Sequence, residues 1–421
     1  MPLAHTLKEN KHPRIVIIGA GFAGIYTYLS LCRLGRKALG ALDITIVSKN
    51  DYFLFTPLLH EVATGSVHPS NAIQPLRQIV DTSIVEVVIG EATRINRENR
   101  VVSVGEKNFS YDYLVLATGS ITRLPSKNSE SIFTLKDLKD ARRIKKHLVS
   151  CFEKASRSSS PEERKELLSF VVVGGGPTGV ELAAEIDEFA KGVLVRAYKK
   201  ISPSEIVTHL VHAKDELIEH FHPSLRKIAE RTLREKEIVL HLHTTVVDIE
   251  DSFALLQNGE KILARTTIFV SGIEPSSPEI IPVPKIGDRG RIVVNKFLHL
   301  PEDNRVFVAG DVSGITDPKG KLVPQTAQAA VQEARSVAGN IISAIQEKSL
   351  SPFAFRELGQ TLSLGRFSAG ARIGGITFSG FFAWWLWRTI YASKIIGFAN
   401  RVRVVVDWTI GLFHSRSISE E

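Results

Sequence analysis

Cysteine is scarce in this chain, with Cys32 and Cys151 as its only two copies in 421 residues. Two cysteines so far apart exclude a disulfide framework, a cysteine-ligated metal cluster and a C-x-x-C redox pair. This usage fits a reducing compartment. The 13 histidines are scattered or lie in polar segments such as HLVHAKDELIEHFH at 209–222, so we expect no metal site.

A long apolar run is also missing. The longest charge-free window near the C-terminus, residues 373–387, has 15 residues, whereas a transmembrane helix needs roughly 18 to 20. The first stretch, MPLAHTLKENKHPR, has no apolar core of the signal-peptide kind. We therefore expect a chain that is neither exported nor membrane-spanning.

Neither sign of charge dominates. Subtracting 45 acidic from 53 basic residues gives +8, which permits an anionic surface or an anionic small ligand as partner. Nucleic acid is not indicated. With 43% hydrophobic and 23% charged residues, the composition is that of a globular protein, and the length suggests two or three domains.

The chain contains two copies of a strand, glycine-turn, helix pattern. RIVII at 14–18 leads into GAGFAG and a helical pattern over 25–34, and a second strand follows at 43–47. Downstream, FVVV at 170–173 leads into GGGPTG, a helical pattern over 180–190 and a strand at 205–211. Both read as Rossmann-type units of an α/β fold, each able to bind a dinucleotide.

Each turn has glycine where a pyrophosphate site requires it. The first glycine permits the tight bend, the second lets backbone amides approach the phosphates, and the third allows the helix to pack on the strand. The helix N-terminus then faces the anion. The residues are Gly19, Gly21 and Gly24 in the first copy, and Gly174, Gly176, Pro177, Thr178 and Gly179 in the second.

Two more motifs carry a family resemblance. The ATG of 117–119 and the VFVAGD of 306–311 are similar to those of two-dinucleotide-binding-domain flavoproteins with a glutathione-reductase-like fold. Within that superfamily the chain most resembles the type II NADH dehydrogenases, single-subunit NADH:quinone oxidoreductases. The motifs are NDYFLFTPLLHEVATG at 50–65, GGGPTGVELAAEI at 174–186, PQTAQAAVQEA at 324–334, and a tail containing SGFFAWWLW and GFANRVRVVVDW.

The resemblance implies that the first unit binds FAD and the second binds NADH, and that electrons pass from the flavin to a membrane quinone. It implies non-covalent FAD contacts by Ser48, Lys49, Thr56, Pro57, Ala117, Thr118, Gly119, Gly310, Asp311, Thr326 and Ala327, and nicotinamide-nucleotide contacts that include His212 and Gly272. A helix starting near residue 325 would also stabilise the anionic reduced flavin.

Three residues are candidates for the chemistry itself. Gln328 and Gln332 are four apart and therefore on one helical face, where their amides would meet a quinone carbonyl. The alternative is a surface hydrogen-bond pair. By resemblance, Glu181 lies between the nicotinamide and quinone pockets, where it would orient substrate or relay a proton. Its alternative role is to favour a helix N-terminus electrostatically.

Two strand ends depart from the family pattern. Ser48 and then Lys49 stand where an acidic residue usually meets the adenosine ribose of FAD, and His212 stands where one usually meets that of NADH. A histidine selects less strongly against a 2′-phosphate, so we expect NADPH to be accepted as well, and better at lower pH as the imidazole protonates.

The C-terminal region holds all four tryptophans, between residues 384 and 408. From 376 to 416 its aromatics mix with Arg388, Lys394, Arg401, Arg403 and Arg416 against one acid, Asp407. This composition is typical of amphipathic helices in a membrane interface. The alternatives are packing against the chain's own domains or a homodimer interface. We expect a peripheral enzyme on the cytoplasmic face of the cell inner membrane.

These patterns predict an FAD-binding domain in two parts, 11–125 and 300–350, an NAD(P)H-binding domain over 126–299 and a membrane-association region over 351–421. Two other functions stay open. One is a sulfide:quinone oxidoreductase, which resembles this chain but works through paired cysteines. The other is a flavin- and NADH-binding interaction protein without quinone turnover.

Overall fold

The computed structural model describes residues 12–38, 42–123, 132–413, 416 and 418. The chain forms two compact units, each assembled from separate stretches of sequence. Unit 1 consists of Met1–Phe53, Pro75–Ile121 and Glu274–Arg356, and unit 2 consists of Leu54–Gln74, Thr122–Ile273 and Glu357–Glu421.

This division changes the predicted domain bounds. The second crossover falls at 273/274 instead of 299/300, and residues 54–74 and 357–421 belong to unit 2. Residues 357–421 therefore group with unit 2, and a membrane-association region over 351–421 stays a prediction. The predicted bounds at 11 and 125 lie outside the described residues.

Unit 1 is built on a six-stranded sheet. Its order is His299–Leu300, Asp303–Val308, Tyr113–Leu116, Arg14–Ile18, Asp43–Ser48 and Val85–Ile89. All neighbouring strands are parallel except the first pair. Parallel strands are covered on both faces, which explains why Ile15, Val16 and Ile17 are at most 1% exposed.

Two long helices of unit 1 pack against each other. They are Phe22–Ala38, the first turn helix, and Ala327–Ile345, the glutamine helix. The unit also contains the helix Leu76–Ile79 and a second sheet of Glu279–Ile281, Ala92–Asn96, Val101–Val104 and Lys107–Ser110.

Unit 2 has a five-stranded parallel sheet. Its order is Ile132–Thr134, Thr266–Phe269, Ser169–Val173, Val207–Val211 and Val239–His241. Two antiparallel sheets follow, Val246–Ile249 with Phe253–Leu256 and Lys261–Leu263, and Gln360–Ser363 with Ala369–Ile373 and Ile376–Ser379. Both predicted strand-turn-helix units are thus present, one in each unit.

The helices of unit 2 include Pro177–Glu188, the second turn helix, and the C-terminal helices Gly380–Lys394 and Phe398–Phe413. The others are Leu59–Ala63, Leu138–Arg157, Pro161–Leu167, Val195–Ala197 and Pro223–Glu235, with a π-helical turn at Phe189–Leu194. Among the described residues, no helix combines the length and the apolar character that crossing a membrane requires.

One polar connector is more ordered than its sequence indicates. The stretch 153–166 reads as a loop or frayed helix end, but it forms the last turn of Leu138–Arg157 and most of the helix Pro161–Leu167. Ser160 caps the second helix by accepting a hydrogen bond from the Glu163 amide at 3.3 Å. The proline at the first helical position and this cap together form a helix start that the charge-rich composition conceals.

Four short strands stand where the chain passes from one unit to the other. They are Tyr52–Leu54, Ile73–Pro75, Ser120–Thr122 and Ile273–Pro275.

Candidate functional site

The first glycine turn of unit 1 has the backbone of a phosphate cradle. Gly19 has φ +104°, in the region that favours glycine, and its amide donates to the Val47 carbonyl at 2.8 Å. A Cβ atom at Gly24 would overlap the Gly19 carbonyl oxygen, whereas one at Gly21 meets no described atom within 4 Å. The turn is therefore closed where helix and strand meet and open where a pyrophosphate would approach.

The predicted flavin residues of unit 1 include side chains that already have partners. Ser48 is buried and its hydroxyl accepts from the Asn50 amide at 3.3 Å, while Lys49 is exposed and pairs with Glu91 at 2.7 Å. Asp311 accepts a hydrogen bond from the Ser120 hydroxyl at 2.5 Å. These contacts fix the directions of the side chains around the cradle.

The glutamine helix begins two residues later than expected. Thr326 is its N-cap, with the hydroxyl accepting from the Ala329 amide at 3.2 Å, and Ala327 is the first helical residue. Gln325 precedes the cap and donates its side-chain amide to the Asp311 carbonyl at 2.9 Å. The helix N-terminus is thus tied to the Asp311 loop.

Gln332 bonds to the backbone of Arg356. Its amide nitrogen donates to the Arg356 carbonyl at 2.9 Å, and its amide oxygen accepts from the Arg356 backbone N–H at 3.0 Å. Both ends of the side chain therefore hold the segment around Arg356, and the predicted quinone contact of this amide stays a prediction. Gln328 lies one turn earlier on the same helix.

The second glycine turn, in unit 2, repeats the first. Gly174 has φ +126° and donates its amide to the Val211 carbonyl at 2.8 Å. A Cβ atom at Gly179 would overlap the Gly174 carbonyl oxygen, and one at Gly176 meets no described atom within 4 Å. Pro177 and Thr178 form the first turn of the helix behind it. Gly272, with φ +72°, accepts at its carbonyl from the Arg123 amide at 2.8 Å.

His212 follows the strand Val207–Val211, as predicted, but its ring is turned toward the glycine turn. The Nδ1 atom accepts a hydrogen bond from the Gly175 amide at 3.1 Å. A neutral imidazole has one acceptor nitrogen, so this bond uses it. Burial lowers the pKa of His212, and protonation would set an N–H against the Gly175 N–H. The expectation that low pH improves NADPH binding through this residue is therefore revised.

Glu181 lies in a buried group of charges in unit 2. One carboxylate oxygen accepts from the Ser363 amide at 3.0 Å, and the other is 3.8 Å from Nδ1 of His60. Burial raises the pKa of Glu181 to about 8, with Glu61 and Glu185 adding to the effect. The carboxyl is protonated near neutral pH, so it can deliver a proton.

His60 is one titratable neighbour of Glu181. It is 2% exposed, and burial lowers its pKa to about 4. Its Nε2 atom has no hydrogen-bond partner among the described residues. A neutral imidazole beside a protonated carboxyl is a pair through which a proton can be exchanged.

Two arginines of the tail are turned inward instead of toward lipid head groups. Arg416 pairs with Glu185 at 2.7 Å and with Glu188 at 2.9 Å, and its side chain is 12% exposed. Burial alone would raise the pKa of Glu185, but Arg416 and His60 outweigh it and hold the pKa below its usual range. Arg388 lies 3.9 Å from the ring centre of Trp384.

The tail is fixed to unit 2 at several further points. The Trp408 indole donates to Glu61 at 2.7 Å, and Asp407 accepts from the Asn71 side chain at 2.6 Å. Of these residues the sequence singled out Trp408, as one of the four tryptophans, and Asp407, as the lone acid of the tail. The i, i+4 spacing of Glu181 and Glu185 and the His-Glu pair at 60–61 were the available signals.

The predicted site residues fall into two groups. Unit 1 contains the first glycine turn, Ser48, Lys49, the ATG turn, Asp311 and the glutamine helix with Gln328 and Gln332. Unit 2 contains the second glycine turn, Glu181, His212 and Gly272. Thr56 and Pro57 open a short turn in unit 2, with Thr56 exposed, and their flavin contact stays a prediction.

The fold and the two cradles define the class, an α/β protein with one dinucleotide turn in each of two units. The model of the pyridine nucleotide-disulphide oxidoreductase family matches residues 13–334, and that of the NDH2 C-terminal domain matches residues 361–417. The chain belongs to the pyridine nucleotide-disulphide oxidoreductase family and, within it, to the type II NADH dehydrogenases.

Curated relatives match along nearly the whole chain. A probable NADH dehydrogenase of Dictyostelium discoideum is 30% identical over 98% of this chain and 92% of its own length. The type II NADH:quinone oxidoreductase Ndh of Mycobacterium tuberculosis is 29% identical over 98% of this chain and 90% of its own.

Solved structures share the fold at lower identity. NDH2 of Plasmodium falciparum in complex with NADH has a TM-score of 0.86 at 20% identity, over 97% of this chain and 100% of that chain. The sulfide:quinone oxidoreductase of Aquifex aeolicus has a TM-score of 0.74 at 21% identity, over 96% of each chain.

Proposed function

We propose that this chain is an FAD-dependent NADH:quinone oxidoreductase that passes a hydride from NADH to FAD and then electrons to quinone, without proton pumping. The observation that carries the proposal is the pair of glycine turns, one in each unit, both open at the central glycine. The curated relatives, named as NADH:quinone and NADH-ubiquinone oxidoreductases, support the same activity.

The residues of unit 1 fit FAD. Gly21 leaves open space beside the helix N-terminus, so the pyrophosphate would lie against backbone amides of the first turn helix. Ser48 and Asp311 supply oxygen atoms suited to ribose and ribityl hydroxyls. When bound, FAD supplies the two-electron chemistry that no side chain of this chain provides. The start of the glutamine helix presents the positive end of the helix dipole to a negative charge.

Glu181 is the proposed proton donor for quinone reduction. Quinone takes up protons as well as electrons, and a carboxyl with a pKa of about 8 is protonated at neutral pH. The Ser363 amide holds one carboxyl oxygen, which leaves the oxygen facing His60 to exchange the proton. Gln328 remains the proposed quinone contact, and Gln332 supports the segment beside it.

Cysteine chemistry is not the basis of this function. Cys151 is 2% exposed, and burial raises the pKa of its thiol to about 11, so it is a poor nucleophile. Cys32 lies in unit 1 and Cys151 in unit 2, each as a free thiol. This disfavours a sulfide:quinone oxidoreductase that works through paired cysteines.

Stopped-flow absorbance tests the activity. We expect the flavin absorbance band of the FAD-loaded protein to bleach on mixing with NADH and to recover when a soluble quinone is added. A flavin that is reduced by NADH but passes no electrons to any quinone analogue would support the interaction-protein alternative instead. A protein that purifies without flavin and takes up none would refute the proposal.

The C-terminal helices are the proposed membrane contact. Trp384, Trp387 and Trp408 are at most 5% exposed and pack into unit 2. One face of the C-terminal helices therefore packs against the chain's own unit. Large apolar side chains remain exposed elsewhere on these helices: Phe381, Phe382, Trp385, Phe398, Val402, Val405, Val406, Ile410 and Phe413. Arg401 and Arg403 are exposed among them and suit anionic head groups.

Flotation with anionic phosphatidylglycerol vesicles tests this surface. We expect the protein to float at low salt, and the Phe381→Ser/Phe382→Ser/Phe398→Ser variant to stay at the bottom with its flavin intact. Val283→Ser is the matched control, because Val283 is 77% exposed in unit 1. Peripheral binding of this kind fits the cytoplasmic face of the inner membrane. Failure to float, with the variant changing a dimer into a monomer, would assign the surface to a homodimer.

A further inference from the structure

Residues 212–219, which follow the strand Val207–Val211, fold back onto the second glycine turn. Two hydrogen bonds fix this segment to a single residue of the turn. The Gly175 amide donates to His212 Nδ1 at 3.1 Å, and the Ile218 amide donates to the Gly175 carbonyl at 2.7 Å. Leu217 lies so close that a Cβ atom at Gly175 would be 2.6 Å from it. These contacts hold the segment against the glycine turn at His212, Leu217 and Ile218.

Ile218 is held in an unfavourable backbone conformation. Its φ is +45°, in the left-handed region, and the side chain is 2% exposed. A β-branched residue adopts this conformation only when its surroundings enforce it, and such strain collects at functional positions. Here the enforced turn determines where the next residue, Glu219, points.

Glu219 points back toward the end of the strand. One carboxylate oxygen is 4.0 Å from Nε2 of His212, and the other accepts from Nζ of Lys214 at 2.7 Å. The Glu219 side chain is 31% exposed and that of Lys214 is 57% exposed. A carboxylate thus stands over the strand-end position, where a dinucleotide fold usually has an acidic residue for the ribose.

This inference rests on the proposed function, in which NADH binds at the second glycine turn. We propose that the Glu219 carboxylate hydrogen-bonds the adenosine ribose of NADH. Lys214 is then a cationic site for a 2′-phosphate, and the ion pair with Glu219 neutralises it. The carboxylate accepts hydrogen bonds from the ribose hydroxyls and repels a phosphate. His212 does neither, because its acceptor nitrogen is bonded to Gly175. It is a positioning residue for the turn and for Glu219.

Isothermal titration of the FAD-loaded protein with NAD⁺ and NADP⁺ tests this without turnover. We expect wild type to bind NAD⁺ more tightly. Glu219→Gln removes the repulsion and frees Lys214, so NADP⁺ should bind roughly tenfold to a hundredfold tighter while NAD⁺ weakens. Adding Lys214→Ala to Glu219→Gln should cancel the gain for NADP⁺. The ratio of catalytic efficiencies for NADPH and NADH should follow the same order.

Asp215→Asn is the matched control. Asp215 lies next to Lys214, is 77% exposed and pairs with His243 at 2.9 Å. Its substitution should leave the NADP⁺/NAD⁺ ratio unchanged. An unchanged ratio in Glu219→Gln, or an equal shift in Asp215→Asn, would overturn the assignment while the proposed function stands. Wild-type protein that binds neither nucleotide would overturn both.

Discussion

The two glycine turns have the same backbone and different surroundings. In each, the first glycine has a positive φ, +104° or +126°, and donates its amide at 2.8 Å to a carbonyl near the end of the neighbouring strand, that of Val47 or Val211. Around that common backbone, the strand end is Ser48 in unit 1 and His212 in unit 2. The glycine spacing determines an anion cradle, whereas the side chains beyond the next strand determine which nucleotide is recognised.

The two units also each contain a buried glutamate with a raised pKa, and the two glutamates have different neighbours. Glu333 in unit 1 and Glu181 in unit 2 are both buried glutamates, and burial raises the pKa of each to about 8. Glu333 accepts from the Gly310 amide at 2.6 Å, whereas Glu181 faces His60. Glu333 also lies near Arg291 and Asp311, so the two carboxyls have different charged neighbours.

The largest expected effect is on nucleotide binding, and it comes from variants that fill one glycine turn at a time. Gly24→Ala and Gly179→Ala each place a Cβ atom on a backbone carbonyl, which cannot move aside as a flexible side chain can. We expect Gly24→Ala protein to purify without flavin. Gly179→Ala protein should keep its flavin but fail to be reduced by NADH. The absorbance spectrum and anaerobic NADH mixing measure the two outcomes.

Gly339→Ala is the control for this pair. Gly339 lies inside the glutamine helix, and a Cβ atom there meets no described atom within 4 Å. This variant should retain both flavin and reduction by NADH, with a helix favoured by up to about 1 kcal/mol. If Gly24→Ala and Gly179→Ala lose the same ligand, the assignment of one nucleotide to each unit is wrong.

The sequence predicts the cradles well because their signal is local. Three glycines between a strand and a helix specify a backbone, and this part of the fold is confirmed. The sequence cannot predict contacts between stretches that are far apart along the chain, such as Glu185 with Arg416 or Glu181 with His60. Gln332 illustrates the limit, since nothing in A-Q-x-A-x-Q indicates that the Arg356 backbone lies beside its amide. His212 was located correctly, but its ring direction depends on the segment that follows.

An intermediate effect, on the free energy of unfolding, is expected from removing one ion pair in each unit. Arg416 with Glu185 is buried in unit 2, whereas Arg14 with Asp112 in unit 1 has side chains 48% and 32% exposed. Removing one partner of a buried pair leaves an uncompensated charge, so Arg416→Ala should destabilise unit 2 by about 3 kcal/mol. Arg14→Ala should cost less than about 1 kcal/mol.

Tryptophan fluorescence is the measurement, because all four tryptophans lie in unit 2. The folded pKa of Glu185 is lowered, so its contribution is present above the ordinary value of 4.5 and is lost as pH falls through the folded pKa. The difference between wild type and Arg416→Ala should therefore shrink in acid. A difference that is constant from pH 7 to about pH 3 would mean that Arg416 acts through packing alone.

The smallest expected effect on stability, and the sharpest test of role, comes from the two buried glutamates. Because the folded pKa of each is raised to about 8, the folded state keeps its proton while the unfolded chain ionises near 4.5. Stability should therefore decline as pH rises from 4.5 to 8. Glu333→Gln and Glu181→Gln should each remove part of that decline, by roughly 1 to 2 kcal/mol, visible as a flatter profile of melting temperature against pH.

In function the two variants should differ. Glu181→Gln cannot release a proton, so quinone reduction should slow at least tenfold and lose its dependence on a group with a pKa near 8, while flavin reduction by NADH persists. Glu333→Gln should leave the quinone half-reaction unchanged, since its carboxyl accepts from the Gly310 amide and is not a proposed quinone contact. Equal slowing in both variants would show that these carboxyls support the fold alike and that Glu181 is not the proton donor.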